Sequence, residues 1–312
     1  MRRSSRSLLV LAAAALLTWV TAGTATAEYP VDYNFFAGIA PELTNRGGSL
    51  PGANDPGCVP SAAHPNPVVL LHGTGGGGQT NWGVYAPLLA NEGYCVYSLT
   101  YGAYPLPWPV SAIGGMRPIE QSAAEVAAFV DRVLADTGAA RVDFVAHSQG
   151  NIVGNYYIKR LGGADKVDKL VGIATPWLGT NLLAVGDIAA YSRALGPGPA
   201  FDAVSSSLCQ ACGQMFAGSA FLAALNADGV YSPQVTYTNI VTTLDEIVVP
   251  YSSGAVPGPN ATSIVVQDGC AQDYSEHMAI AGSPRAAGHV LNALDPARRA
   301  PVPCEFVPPF TG

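Results

Sequence analysis

A serine acts as a nucleophile when the chain exposes its hydroxyl and a base takes its proton. The motif Ala146-His147-Ser148-Gln149-Gly150 meets the first condition, since it follows the apolar run 142–145 and opens a helical pattern over 151–161. A buried strand that stops and turns sharply into a helix leaves one side chain exposed at the sheet edge. Such a turn presses backbone against backbone, so the residues two before and two after the serine must be small. Ala146 and Gly150 satisfy this, Ala146 adding one methyl where glycine is usual. The competing interpretation is a surface serine capping a helix.

The base must come from five histidines. His64 precedes the first core strand, His72 ends it, and His147 should point away from Ser148 at a sharp turn. His277 follows the strand at 263–266 through a short loop carrying Cys270. His289 lies in a helical pattern with Val290, Leu291 and Leu294, where a partly buried histidine needs no further role. His277 is therefore the expected base. Asp245, in the turn beyond the strand at 238–242, is the expected acid. Glu246 should point elsewhere, to solvent or a loop amide, and Asp187 and Asp202 fall in an irregular insertion. The order Ser148, Asp245, His277 matches the serine-acid-histidine order of the α/β-hydrolase plan.

After the first strand comes His72-Gly73-Thr74-Gly75, followed by Gly76, Gly77 and Gly78. A phosphate loop would need Lys followed by Ser or Thr, and Gln79-Thr80 stands there instead. A dinucleotide site would need an acidic residue after the next strand, where Leu99-Thr100-Tyr101 is found. What remains is an oxyanion hole with Thr74 and Gln149 as donors.

These groups need a scaffold. Short apolar strands are expected at 68–71 and 94–100 with a helix at 82–91 between them, the strand-helix-strand unit of a parallel sheet. An amphipathic helix at 119–136, carrying Val126, Phe129, Val130, Val133 and Leu134, leads to the strand before Ser148. Further strands are expected at 170–173, 238–242 and 263–266. The alternation implies an α/β fold with a mostly parallel central sheet and helices on both faces. Residues 28–67 have little periodicity and suggest an irregular arm over the domain, 178–233 a lid-like insertion, and the proline-dense stretch 296–309 a tied-down loop.

Arg2, Arg3 and Arg6, the apolar run 8–20 and the small residues ending at Ala27 have the form of a cleaved secretory leader, too short for a membrane span. The expected product is a secreted single domain over 28–312, with a monomer expected. The chain has 15 Lys+Arg against 22 Asp+Glu, and losing a leader with arginines and no acids makes it more acidic, which argues against nucleic acid as a partner. With 49% apolar and only 12% charged residues, an uncharged or lipid-like substrate fits its surface. Cys58, Cys95, Cys209, Cys212, Cys270 and Cys304 all follow the leader, so disulfides are expected, with 15 connectivities open to sequence alone. Cys209-Gln210-Ala211-Cys212 lacks the second CxxC or histidine pair of a metal site, which favours a local bridge. No metal and no cofactor are expected.

The sequence resembles the class 2 lipases of bacteria and, in pattern, the fungal lipase B type. The resemblance rests on His72-Gly73-Thr74-Gly75 with Trp82 downstream, Gly93-Tyr94-Cys95, Ser148-Gln149-Gly150, Thr238-Asn239 running into Asp245-Glu246-Ile247-Val248, and His277 after Cys270. It spans most of 68–304 and implies an α/β-hydrolase fold and ester hydrolysis, with substrate met at a lipid-water interface. It also implies that Thr74 gives both amide and hydroxyl to the oxyanion, and that Cys58 pairs with Cys95 and Cys270 with Cys304. The insertion at 178–233 departs from the family pattern. The same triad would serve an acyltransferase or polyester hydrolase, whereas a non-catalytic cell-surface protein would have no reason to assemble all these groups. Residues 101–110 and Trp177-Leu178 are candidates for an acyl-pocket wall or for plain packing.

Overall fold

Strand β1 (Val68–Leu71) is buried at every residue, as an apolar run without alternation predicts for a strand covered on both faces. In the computed structural model, which describes residues 28–181 and 209–311, it sits inside a six-stranded sheet of order β2-β1-β3-β4-β5-β6. The other strands are β2 (Val96–Ser98), β3 (Val142–His147), β4 (Val167–Ile173), β5 (Thr236–Val241) and β6 (Ala261–Val265). Every pairing is parallel. The expected leader at 1–27, the middle of the 178–233 insertion, Asp187 and Asp202 lie outside the described residues.

Helices cover both faces. Val126, Val130 and Val133 of α3 (Ile119–Thr137) and Ile152 and Tyr157 of α4 (Gln149–Arg160) pack on Val69, Leu71, Phe144 and Leu170. On the opposite face Tyr85 and Leu89 of α2 (Tyr85–Asn91) and Ala286 and Val290 of α7 (Pro284–Leu294) meet Val68, Leu70, Val145 and Ile173. The alternation of partners along each strand follows from the two-residue period of a strand's side chains. Helix α3 ends at Gly138, whose φ of 69° is the left-handed conformation that glycine tolerates best.

Several boundaries differ from expectation. Strand β2 is shorter than 94–100, because Tyr94 bonds back to Leu89 of α2 and Thr100 Oγ1 turns to accept the Gly78 amide. Helix α2 starts at Tyr85 rather than 82, since Trp82 and Gly83 are used in a turn against the arm. Helix α4 starts at Gln149, directly after Ser148.

The larger departure is in 28–67, expected to be irregular. It holds a 3-10 turn, Phe35–Gly38, and a helix α1 (Ile39–Thr44). The turn docks by backbone contact: a Cβ on Gly38 would lie 2.0 Å from the Gln79 carbonyl oxygen, and one on Gly83 would lie 2.3 Å from the Gly38 nitrogen. Only glycine permits that approach. Glu42 of α1 ties the helix down, accepting Gln79 Nε2 at 2.6 Å and Trp108 Nε1 at 3.1 Å.

The described part of the insertion contains helices α5 (Gln210–Gln214) and α6 (Ala220–Leu225). The disulfides join Cys58 to Cys95, Cys209 to Cys212 and Cys270 to Cys304. No described helix is long and apolar enough to cross a membrane.

Candidate active site

Ser148 stands between β3 and α4 with φ 52° and ψ −123°, a strained conformation for a residue with a side chain. The surroundings enforce it. The Ser148 amide donates to Ile173 O at 2.9 Å, and Asn151 Nδ2 bonds the carbonyls of Ser148 (3.0 Å) and Ile173 (3.2 Å). A Cβ on Gly150 would sit 2.1 Å from Leu71 O, which gives the small-residue requirement a measured cause. The nucleophile motif does not point to Asn151. Its signal was a polar residue on the inward face of α4, where it is fully buried.

The structure brings Ser148, Asp245 and His277 together at the carboxyl edge of the sheet. His277 Nε2 lies 2.9 Å from Ser148 Oγ, and its Nδ1 lies 2.9 Å and 3.0 Å from the two Asp245 carboxylate oxygens. Asp245 Oδ1 also accepts the amides of Ile247 (3.0 Å) and Val248 (2.7 Å), which fixes the carboxylate before it meets the imidazole. The acid is almost fully enclosed, its side chain 2% exposed. An imidazole held between a carboxylate and a hydroxyl can take the hydroxyl proton while the carboxylate stabilises the resulting cation.

Thr74 lines the cleft, and Gln149, the residue after Ser148, is joined to it by a side-chain hydrogen bond. Neither backbone N–H has an intramolecular acceptor among the described residues. Gln149 Nε2 donates to Thr74 Oγ1 at 3.1 Å and to Gly115 O at 2.9 Å. With its oxygen engaged as an acceptor, the Thr74 hydroxyl keeps its own proton for a group in the cleft. Gly115, at φ 68°, makes room: a Cβ there would approach Gln149 Oε1 to 2.5 Å.

The other histidines have separate places. His72 is buried and stacked on Tyr101 at 3.9 Å; it accepts the Tyr101 amide at Nε2 and so donates from Nδ1 to Gly73 O, bracing the glycine turn. Burial lowers its pKa to about 4. His64 stacks on Tyr94, and His289 lies on α7, where burial and then Arg285 lower its pKa. His147, expected to point away from Ser148, lines the same cleft and reaches the His277 carbonyl at 2.9 Å. Glu246 accepts the His277 amide at 3.2 Å.

The cleft opens on a cavity of about 730 Å³. One wall was not anticipated: Phe35, Phe36, Ile39 and Leu43 of the arm. The proposed wall at 101–110 and 177–178 divides. Trp108 and Pro109 line the cavity, whereas Tyr101 and Trp177 are core residues, Trp177 donating to Asn239 Oδ1 at 2.8 Å. Tyr101 is drawn inward because its hydroxyl bonds the His72 carbonyl. Among the described residues no cluster of His, Cys, Asp or Glu is placed to hold a metal ion.

The family model described as Lipase (class 2) matches residues 65–287. Aspergillus fumigatus lipase B is similar in fold at a TM-score of 0.59 and 18% identity, with 78% of this chain and 56% of that one covered. The chain thus spans little more than half of that fungal lipase. The mature form of a Bacillus licheniformis lipase aligns at a TM-score of 0.54 and 15% identity, covering 75% of this chain and 94% of that one.

Proposed function

The chain belongs to the class 2 lipase family, and from that premise we propose that it is a secreted carboxylic-ester hydrolase that takes acylglycerols or other lipid-like esters through a Ser148-His277-Asp245 triad. The observation that carries the proposal is the unbroken contact from Asp245 through His277 to Ser148, opening on an apolar cavity. Ser148 Oγ attacks the ester carbonyl as His277 Nε2 takes its proton. The tetrahedral oxyanion is met by the amides of Thr74 and Gln149 and by the Thr74 hydroxyl. His277 then gives the proton to the leaving alcohol, and the acyl-enzyme is hydrolysed by a water that the same imidazole deprotonates.

Lipid-like substrate is supported by what surrounds the triad. Ile39, Leu43, Trp108, Ile113, Met215 and Val248 contribute to the cavity wall, and such surface favours apolar chains over charged ones. Export is supported by the leader-like residues before Glu28 and by three disulfides.

A fluorophosphonate probe followed by p-nitrophenyl esters of graded chain length, with emulsified triglyceride beside them, tests the proposal. Labelling confined to Ser148 and turnover of apolar esters are expected. An unlabelled wild-type protein, or one that labels but hydrolyses no ester, would refute it.

A further inference from the structure

His277 is held at both ring nitrogens by the groups it serves, and also at both polar atoms of its own main chain. Its amide donates to Glu246 Oε2 at 3.2 Å, and its carbonyl lies 2.9 Å from His147 Nε2. These main-chain contacts belong to neither proton transfer nor substrate binding. They come from the residues next to the acid and next to the nucleophile, Glu246 beside Asp245 and His147 beside Ser148.

We propose that His147 is a positioning residue for the base, tying the main chain of His277 to the strand that carries the nucleophile, with Glu246 as a weaker second tie. The inference rests on the triad proposed above. Ser148 and His277 are 129 residues apart, and no local geometry sets their separation. His147 is the last residue of β3, inside the parallel ladder with β4 and 3% exposed, so it is as rigid a reference as the sheet itself. Its ring is confined by Asn81 Oδ1 at 3.1 Å from Nδ1 and by the Phe35 ring edge-on at 5.9 Å. A neutral His147 ring has one proton and two oxygens beside it. The shorter contact, 2.9 Å to the His277 carbonyl against 3.1 Å to Asn81 Oδ1, assigns the proton to Nε2. Asn81 Nδ2, which has no partner among the described residues, would supply the donor for Nδ1 if that amide is turned over. Burial first, and then the neighbouring His277, lower the His147 pKa to about 3, so this donor stays neutral while His277 cycles through its cation.

The contact matters because a misplacement of about 1 Å costs a catalytic group roughly 10²-fold. Glu246 is exposed, and water can replace its oxygen at the His277 amide. Its share is correspondingly smaller.

The test uses the full-length protein and a short soluble ester. His147→Phe fills similar space without a donor, and His147→Gln restores an N–H. A fall in kcat of about 10- to 100-fold is expected for His147→Phe, with KM and melting temperature near wild type and most of the rate regained in His147→Gln. The low-field proton signal of the His277–Asp245 hydrogen bond should shift or vanish in His147→Phe and persist in His147→Gln. Glu246→Ala should lose a few-fold in kcat while Glu246→Gln, which keeps an acceptor oxygen, matches wild type. A folded His147→Phe with wild-type kcat and an unchanged low-field signal would overturn the proposal. So would a His147→Gln as slow as His147→Phe, since packing would then be the cause. If His147→Phe does not fold, His147→Met, which also lacks a donor, takes its place, and a wild-type kcat with an unchanged low-field signal in that variant overturns the proposal instead. Failure of the triad itself is distinguishable, because wild-type protein would then not label at Ser148.

Discussion

The polar rim around Ser148 and the arm wall line one cavity but are built on different terms. At the rim the polar side chains are held by specific partners: His277 between Ser148 and Asp245, Asp245 between an imidazole and two amides, Gln149 on Thr74. In the wall, Phe36, Ile39 and Leu43 are 44%, 40% and 55% exposed and offer only apolar surface. The rim selects residue types by chemistry, the wall by volume and area. Substitutions at the rim should therefore change rate for every ester, and those in the wall should change which ester is preferred.

The largest effect tests the rim. Ser148→Ala should abolish probe labelling and lower kcat by about 10⁴-fold or more, the scale for a triad nucleophile. His277→Ala should be comparably damaging while His289→Ala keeps most activity; the reverse ranking, measured on one ester, would move the base to α7. Next, Thr74→Val removes a hydroxyl but keeps the backbone amide, and kcat should fall about 10²-fold, near the loss of one oxyanion donor. An unchanged rate would leave the amides as the whole hole.

A smaller and selective effect tests the wall. Leu43→Trp should reduce turnover of long-chain relative to short-chain esters by about 10-fold, the loss of room for about two methylenes at about 0.8 kcal/mol each. A uniform loss across chain lengths would erase the distinction between rim and wall.

The smallest effect concerns the buried histidines beneath the rim. His72 and His147 are lowered from 6.5 to about 4 and about 3, so unfolding takes up protons that the native state refuses. Their contribution is complete above pH 6.5 and is lost as pH falls through that value towards 4 and 3. Asp143 acts oppositely. Burial raises it from 3.8 to about 6, so its contribution is present at low pH and lost as pH rises through about 6. Near pH 5 the net uptake is about one proton, or about 1.4 kcal/mol per pH unit. Thermal midpoints measured from pH 7 to 5 should decline; a flat profile would mean the histidines are charged in the folded protein.

Legibility in the sequence divides along the same line. The strands and helices of the core were readable because two-residue and 3.6-residue periods are local signals, and the elbow because Gly150 must admit the Leu71 carbonyl. The rim candidates were readable because few residue types can do that chemistry. The arm wall was not. Phe35 to Thr44 carries no strong period, and its helix is six residues long, stable only through docking at Gly38, Gly83 and Glu42. His147 was understood as turned away from the serine, without the carbonyl it would meet. Asn151 and Asn81 looked like ordinary polar residues.

By itself, then, the sequence determined the alternation of elements, the family resemblance and a short set of groups able to attack, relay and stabilise charge. Those properties depend on residue type and spacing along the chain. Only the tertiary structure decided which groups meet. The parallel order β2-β1-β3-β4-β5-β6 sets the ends of β3, β5 and β6 at one edge, and a hydrogen bond near 2.9 Å depends on the position of whole elements, which no local pattern encodes.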